Sequence, residues 1–221
     1  MLETYLVEQC APTLASLKLG SMFALTVPAG EDMEQEVREL NAGFERKGLY
    51  LTVLRRRGER ATVYLCRVSQ LASELAKPEV AQFLRGCGYG SLALPDALEQ
   101  LRRRFAETRS IPHELGVLLG YPLGDVLGFI ANRGRNSVRT GYWQVYCDEA
   151  QAAEKFARYR KCHEVYSRLF SAGHSISAVS YTHLSSCCIC SAILPFKRRY
   201  SSLVISPLFQ SRYKLSEASL R

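Results

Sequence analysis

The sequence predicts an α+β fold, a helix-rich single domain with a small, at least partly antiparallel sheet. Three observations lead to this prediction. Residues 49–68 contain two β-prone runs around a charged turn, which is the pattern of an antiparallel hairpin. Apolar residues recur at three- and four-residue spacing through much of the remaining chain, as in amphipathic helices. A short strand at 142–146 is expected to belong to the same sheet as the hairpin, and one long helix over 148–172 follows it.

The 221 residues contain 47% hydrophobic and 23% charged side chains, which is ordinary for a globular protein. No apolar run reaches the roughly 18 to 20 residues that a membrane span needs. Glu3 and Glu8 stand where an export signal would have a basic start and an apolar run. We therefore expect a cytoplasmic protein with no membrane partner. Its eight cysteines are expected to be free thiols or metal ligands rather than disulfides.

Residues 179–221 differ in kind from the rest of the chain. They contain ten serines, a CCIC cluster and neither glycine nor aspartate. Six basic residues and one acidic residue give them 5 of the 8 formal net positive charges. They show no sustained periodicity, and their first residues resemble a translated sequencing adapter. We expect residues 1–177 to form one α+β domain and 178–221 to be a non-native or disordered tail.

Helices and strands are predicted to alternate in the first half of the chain. Residues 2–9 form a short amphipathic helix, and Pro12 opens a second helix that Gly20 ends. A strand is expected at 22–27. The next helix has one buried stripe and ends at Gly48, directly before the hairpin.

Four arginines crowd the tip of the hairpin, at Arg55, Arg56, Arg57 and Arg60. Guanidinium groups are well suited to gripping phosphates. Charges at a turn also keep strand ends solvated, and the tip has no aromatic residue on which a base would stack. We therefore interpret this tip as a solvated turn in preference to a phosphate site.

Helices dominate the second half of the chain. Pro78 and Pro95 each stand at the start of a predicted helix. Pro112 opens a short one that a glycine turn separates from a second, over residues 123–132. The last helix begins at Asp148, a good N-cap. Its core-facing residues step by three and four: Ala152, Phe156, Tyr159, His163, Tyr166 and Phe170.

Cys10, His113 and Glu114 are the candidate catalytic residues. Cys10 precedes the helix expected at Pro12, and the amide dipoles of a helix N-terminus lower the pKa of a thiol. A histidine beside a glutamate supplies an acid and a base, and the pair is also half of a metal site. The sequence has no HExxH motif that would supply the other ligands, so no metal is predicted. A structural role also explains all three residues: the thiol packs in the core, and the other two residues cap a helix. This structural explanation is favoured over a catalytic role.

Five further side chains are not required by a helical hairpin and are therefore candidates for ligand binding. They are Tyr121, Asp125, Asn132, Asn136 and Trp143. Neither GxGxxG nor GxxxxGK[ST] occurs, so the cofactor stays unknown.

Residues 113–132 have the outline of a helix-turn-helix, two short helices joined by a glycine turn. Gly124, Asp125 and Gly128 are expected on the exposed face of the second helix, where none of them can read base edges. A net charge of +3 outside residues 179–221 also weighs against nucleic acid as a partner. DNA binding through this hairpin is kept as the third hypothesis.

A set of short segments resembles the bacterial family called domain of unknown function 3793. The resemblance covers about residues 1–177. Its motifs lie at 10–15, 111–116, 119–122, 125–126, 128–130, 132, 134, 141–146 and 159–162. It implies a cytosolic bacterial protein, mostly of anaerobic Gram-positive lineages, and it carries over no activity, cofactor or catalytic residue. Cys147 stands where the family pattern has glycine, and residues 179–221 have no counterpart.

Three functions follow from these observations. The first is a non-catalytic accessory domain that binds an unknown small ligand or protein partner through the surface around His113, Tyr121 and Trp143. The second is a thiol- or metal-dependent enzyme or redox factor built on Cys10, His113 and Glu114. DNA binding is the third. Proximity of the Cys10 sulfur to the His113 ring would favour the enzyme.

Overall fold

The computed structural model of the protein describes residues 2–28, 30–108 and 110–176, so the predictions made for 178–221 lie outside the described residues. The α-helices are α1 (Leu2–Leu14), α2 (Met33–Phe44), α3 (Val68–Leu75), α4 (Pro78–Gly86), α5 (Leu94–Glu107), α6 (Leu115–Leu118), α7 (Leu123–Ala131) and α8 (Glu149–Ser171). The strands are β1 (Gly20–Thr26), β2 (Leu49–Arg57), β3 (Arg60–Arg67), β4 (Arg139–Thr140) and β5 (Gln144–Val145). The α+β class is confirmed.

An antiparallel three-stranded sheet with the order β1-β3-β2 lies at the centre of the fold. Its middle strand alternates between two cores, as the two-residue period of a strand requires. Val63 and Leu65 face a core shared with α1, α2 and α8, whereas Tyr64 and Cys66 face a core shared with α3, α4, α5 and α6. Helices therefore cover both faces of the sheet.

One extra residue interrupts β2 just before its arginines. Val53 pairs with Val63 and Arg55 pairs with Thr62, so Leu54 has no partner of its own in β3. Leu51 and Val53 belong to the core beside α1, whereas Leu54 belongs to the core beside α5. Such a bulge reverses which face the following side chains occupy. It directs Arg55 towards α5, where its guanidinium lies 5.6 Å from the centre of the Phe105 ring.

The predicted strand at 142–146 is present as β5, but it pairs with β4 in a separate two-stranded sheet and not with the hairpin. The predicted long helix is confirmed as α8, and Asp148 caps it by accepting a hydrogen bond from the Gln151 amide at 2.9 Å. Trp143, Val145, Phe156 and Tyr159 form a third, smaller core between β5 and α8.

The prediction of two helices around Pro12 is wrong, because α1 runs without a break from Leu2 to Leu14 with Pro12 inside it. Leu6, Cys10 and Leu14 are all fully buried and share one face. That buried face stabilises the helix through the proline, which removes one backbone hydrogen bond.

Candidate functional site

Cys10 lies in the interior of α1 with no exposed surface. Because the helix begins at Leu2, the amide dipoles of its N-terminus are more than a turn away from the thiol. Burial raises the pKa of Cys10 to about 12, although Lys18 and a hydrogen bond to Ser21 act in the opposite direction. The expectation of a low pKa at this cysteine is therefore wrong.

A buried polar group that we call the Lys18 cluster surrounds the hydroxyl of Ser21. Thr13 Oγ1 lies 2.8 Å from Ser21 Oγ, and Lys18 Nζ donates to the same oxygen at 3.5 Å. The Cys10 thiol is the fourth member. Lys18 is 8% exposed and forms no ion pair with any carboxylate of the described residues. A charged amine without a counter-ion is rare in a protein interior.

Burial lowers the pKa of the Lys18 ammonium to about 8, and the nearby Cys10 opposes this only in part. The ammonium lies 5.4 Å from the centre of the Tyr121 ring, a cation–π contact that replaces part of its lost hydration. On the α8 side, burial and then the charge of Lys18 lower the pKa of His163 to about 4. His163 is therefore neutral at pH 7. The Lys18 cluster joins α1, β1, α8 and the turn at Tyr121 in the interior of the protein.

His113 and Glu114 are neighbours in sequence but have different surroundings. His113 is exposed, and its ring lies edge-on to Phe129 with centres 5.5 Å apart. Glu114 is buried and accepts a hydrogen bond from Arg104 Nε at 2.9 Å. The pKa of Arg104 is raised, first by this hydrogen bond and then by the charge of Glu114. Glu114 is therefore held as the partner of an arginine on α5.

The structure does not bring Cys10, His113 and Glu114 together. In the described ranges, no group of three histidine, cysteine, aspartate or glutamate side chains is placed to hold a metal ion. Cys10 is surrounded by Lys18 and Ser21 in the core beside α1. Their assignment as catalytic residues stays a prediction, and it gains no support from proximity.

Asp125 is buried, contrary to the prediction that it lies on an exposed helix face. Its Oδ2 accepts the indole N–H of Trp143 at 2.8 Å. Its Oδ1 accepts the backbone N–H groups of Tyr146 and Cys147, at 2.7 and 2.9 Å. Three donors thus compensate the cost of burying this carboxylate, and they tie α7 to the end of β5.

Tyr121 and Trp143 stack on each other, with ring centres 5.2 Å apart. Phe156 meets the Trp143 indole edge-on, with centres 4.5 Å apart. Trp143 is 6% exposed, so its ring lies in the core, and the role of Tyr121 and Trp143 in ligand binding stays a prediction. Both aromatic residues are engaged in packing.

Asn132 and Asn136 follow α7. The amide nitrogen of Asn132 donates to the carbonyl of Gly128 at 2.8 Å, which satisfies one of the last carbonyls of the helix. Asn136 is exposed and has a φ of 58°, in the left-handed region that asparagine tolerates better than most residues. Local backbone geometry accounts for both residues, and their role in ligand binding stays a prediction.

A cleft lies between the hairpin and α5. We call it the arginine cleft. Its volume is about 390 Å³, within the range of small-molecule sites. Five arginines and one glutamate line it, with two apolar residues: Leu54, Arg55, Arg56, Arg57, Glu99, Arg102, Arg103 and Ala106. Its lining therefore has a strong positive charge.

Two arginines of the cleft are fixed by α5. Arg55 Nη1 donates to the carbonyl of Thr108 at 3.3 Å, and Arg57 Nη2 reaches the same carbonyl at 3.5 Å. Thr108 is the C-cap of α5, where the helix dipole favours cations. Burial lowers the pKa of Arg55, and the charge of Arg57 lowers it further, so the two cations crowd each other.

The other wall of the cleft is a pair of arginines on α5. Arg102 Nη1 lies 3.3 Å from one oxygen of Glu99, and Arg103 Nε lies 3.5 Å from the other. All three side chains are about half exposed, so these ion pairs contribute little stability and can be exchanged for contacts to an anion. The cleft therefore has five arginines from β2 and α5 and one carboxylate to balance them.

Sequence reasoning missed both the cleft and Lys18. The hairpin arginines were interpreted as a solvated turn, and the bulge that directs Arg55 towards α5 has no signature in the sequence. Lys18 did have a signal, because it is the one charged residue between Glu8 and Glu31. An isolated lysine in so apolar a stretch is a candidate for burial.

A family model described as protein of unknown function (DUF3793) matches residues 6–180. No curated protein and no solved structure matches the chain. Among the described helices, none has both the length and the apolar character that crossing a bilayer requires.

Proposed function

Because the chain belongs to the DUF3793 family, whose description names no activity, we propose its function from the geometry. The protein is a non-catalytic ligand-binding domain that holds a small phosphate-bearing molecule in the arginine cleft. The observation that carries this proposal is the convergence of five arginines from β2 and α5 on one cavity of about 390 Å³.

Guanidinium groups favour phosphate because their paired N–H donors match two phosphate oxygens. Arg55 and Arg57 are already oriented by the Thr108 carbonyl, which reduces the entropy lost when a ligand binds. A second cavity of about 420 Å³ lies beside Leu19 and Gly120, but its lining includes one acidic residue and no basic one. The arginine cleft is therefore the better match for an anion.

The two alternatives receive less support. A thiol- or metal-dependent enzyme would need the Cys10 sulfur near His113, and the buried thiol with a pKa of about 12 is a poor nucleophile at neutral pH. DNA binding through 113–132 would need polar side chains on the exposed face of α7 that form hydrogen bonds to base edges. The exposed residues there include Leu127 and Ile130 instead. We also propose a bacterial cytoplasmic location, which the five free cysteines of the described residues support.

Calorimetric titration with inorganic pyrophosphate tests the proposal on the full chain. We expect saturable binding at one site, weakened at least about tenfold in Arg57→Ala/Arg103→Ala, because each lost charge-assisted hydrogen bond is worth about 1.5 to 3 kcal/mol. Arg158→Ala on α8 removes an exposed arginine elsewhere and should leave binding unchanged. Equal binding by both variants would contradict the proposal. A clear preference for a single-stranded oligonucleotide over pyrophosphate would replace it with nucleic-acid binding.

A further inference from the structure

Helix α7 buries its one charged residue and exposes two of its large apolar residues. The charged side chains of a surface helix ordinarily face solvent and its apolar stripe faces the core. In α7 the one charged residue, Asp125, is buried, whereas Leu127 is 45% exposed and Ile130 is 39% exposed. Val126 still packs into the core, but the burial of Asp125 and the exposure of Leu127 and Ile130 are the reverse of what an isolated domain favours.

Packing against the end of β5 fixes the rotation of α7. A Cβ added at Gly124 would lie 2.7 Å from Cys147 Sγ, and one added at Gly128 would lie 2.6 Å from the Cβ of Tyr146. Both glycines therefore allow close approach on the side that also holds Asp125. Because the side of α7 with Gly124, Asp125 and Gly128 packs against the end of β5, Leu127 and Ile130 face solvent. The helix cannot rotate to bury them without losing that packing.

We define the α7 face as Leu127 and Ile130, which lie one helical turn apart; Val138, which follows the helix in the sequence, is 56% exposed as well. One other large apolar residue of the described part, Tyr50 on β2, is exposed to a similar degree. Single exposed apolar residues are ordinary, but several in one segment indicate an interaction site.

The border of the α7 face is cationic. Arg133 and Arg135 follow the helix directly, and both are exposed. Neither guanidinium has a hydrogen bond or an ion pair within the described ranges. Arg139, the next arginine, is already paired with Glu149 at 2.8 Å. The only carboxylate of α7 is turned inward, so nothing on this face balances the two free arginines.

We propose that the α7 face binds an amphipathic helical segment of a partner protein, whose apolar stripe covers Leu127 and Ile130 and whose acidic residues pair with Arg133 and Arg135. Apolar anchors three residues apart are the usual contact of one helix with another. A second copy of this chain fits less well, because a two-fold contact would bring the arginines of both copies together. This interaction is independent of the arginine cleft.

Fluorescence anisotropy with two labelled synthetic peptides tests this proposal. Both peptides are helical with leucines at i, i+3, i+4 and i+7; one has glutamates at the other positions and the other has lysines. We expect the full chain to bind the glutamate peptide at least about tenfold more tightly than the lysine peptide. Leu127→Ser/Ile130→Ser should weaken this binding about tenfold or more, and Tyr50→Ser should not change it. Both positions are exposed, so circular dichroism should show an unchanged fold.

Two further variants separate this surface from the arginine cleft. Arg133→Glu/Arg135→Glu should reverse the preference towards the lysine peptide, whereas Arg57→Ala/Arg103→Ala should retain binding of the glutamate peptide. Loss of binding in the cleft variant, or full binding by Leu127→Ser/Ile130→Ser, would overturn the proposal. It would also be overturned by dimerisation in sedimentation velocity that depends on Leu127 and Ile130, or by binding to anionic vesicles that depends on them.

Discussion

The indole N–H of Trp143 donates to the carboxylate of Asp125 at 2.8 Å, and this bond joins α7 to the small core between β5 and α8. The same carboxylate accepts two backbone N–H groups. One aspartate therefore holds α7 against the end of β5 through three hydrogen bonds.

Asp125→Ala should be strongly destabilising. It leaves three donors without an acceptor, and each buried unsatisfied donor costs about 1 to 3 kcal/mol. We expect a loss of about 3 to 5 kcal/mol in the free energy of unfolding, measured by urea denaturation. Glu154→Ala, which removes an exposed carboxylate from α8, should change it by less than about 0.5 kcal/mol. A similar small effect of Asp125→Ala would mean that this network does not stabilise the fold.

Trp143→Ala and Trp143→Phe should have unequal effects. Alanine removes the stacking on Tyr121 and the edge contact with Phe156, and we expect a loss of about 3 to 5 kcal/mol. Phenylalanine keeps most of the ring contacts but leaves Asp125 Oδ2 without the indole donor, which should cost about 1 to 3 kcal/mol. Thermal and urea unfolding of the two variants measure the difference. If the two losses were equal, the ring contacts would contribute nothing beyond the hydrogen bond.

Lys18→Met should stabilise the protein at neutral pH. Lowering the pKa of Lys18 from 10.5 to about 8 corresponds to a destabilisation of about 3 kcal/mol below pH 8, where the ammonium is charged in both the folded and the unfolded chain. Between pH 8 and 10.5 the unfolded chain binds this proton more tightly, so the destabilisation caused by burying Lys18 falls as the pH rises. Part of the gain is offset by the lost contacts to Tyr121 and Ser21.

The measurement is the difference in unfolding free energy between Lys18→Met and the natural protein at several pH values. The difference should be largest below pH 8 and should shrink towards pH 10.5. Cys10 and His163 are present in both proteins, so their own titrations largely cancel in this difference. A difference that does not depend on pH would show that the buried charge has no energetic cost.

Glu99→Gln should strengthen anion binding in the arginine cleft. The substitution keeps the size of the side chain but removes the charge that Arg102 and Arg103 now share. We expect pyrophosphate to bind about threefold to tenfold more tightly, since the surface ion pairs that it replaces are worth up to about 1 kcal/mol. Glu154→Gln is the matched control. Weaker binding in Glu99→Gln would indicate that Glu99 orients the arginines rather than competing with the ligand.

Thiol labelling should distinguish the cysteines by their burial. Cys147 is exposed, whereas Cys10, Cys66 and Cys162 are buried. Burial also raises the pKa of each of these three thiols to about 12. Iodoacetamide at pH 8 followed by peptide mapping should modify Cys147 in the native protein and the other three only after denaturation. Rapid modification of Cys10 in the native protein would instead support the hypothesis that Cys10 is a reactive thiol.

Local patterns predicted the elements that depend on local interactions. The hairpin, the cap at Asp148 and the length of α8 follow from turn chemistry and from the spacing of apolar residues, and the structure confirms them. The sequence could not show that β5 pairs with β4, because both strands are only two residues long and leave no alternating pattern to read.

The candidate site was harder to predict than the fold. A helix interrupted at Pro12 was expected from a local rule, whereas the buried face through Cys10 outweighs that rule. Asp125 was expected on the surface because charged residues usually are, and only its three donors explain its burial. Arg57 and Arg103 are distant in the sequence, so their convergence is a property of the tertiary structure.

The unpaired Leu54 in β2 makes the arginine cleft sensitive to the relative lengths of β2 and β3 rather than to substitution. One residue inserted into β3 opposite Leu54 would leave β2 unchanged and would give Leu54 a partner of its own. It would nevertheless move Arg55 and Arg57 to the face that Leu51 and Val53 occupy, where a hydrophobic core cannot accommodate a charge. Comparison of natural relatives should therefore find the difference in length between these two strands more strictly maintained than the identity of the residues at the tip of the hairpin.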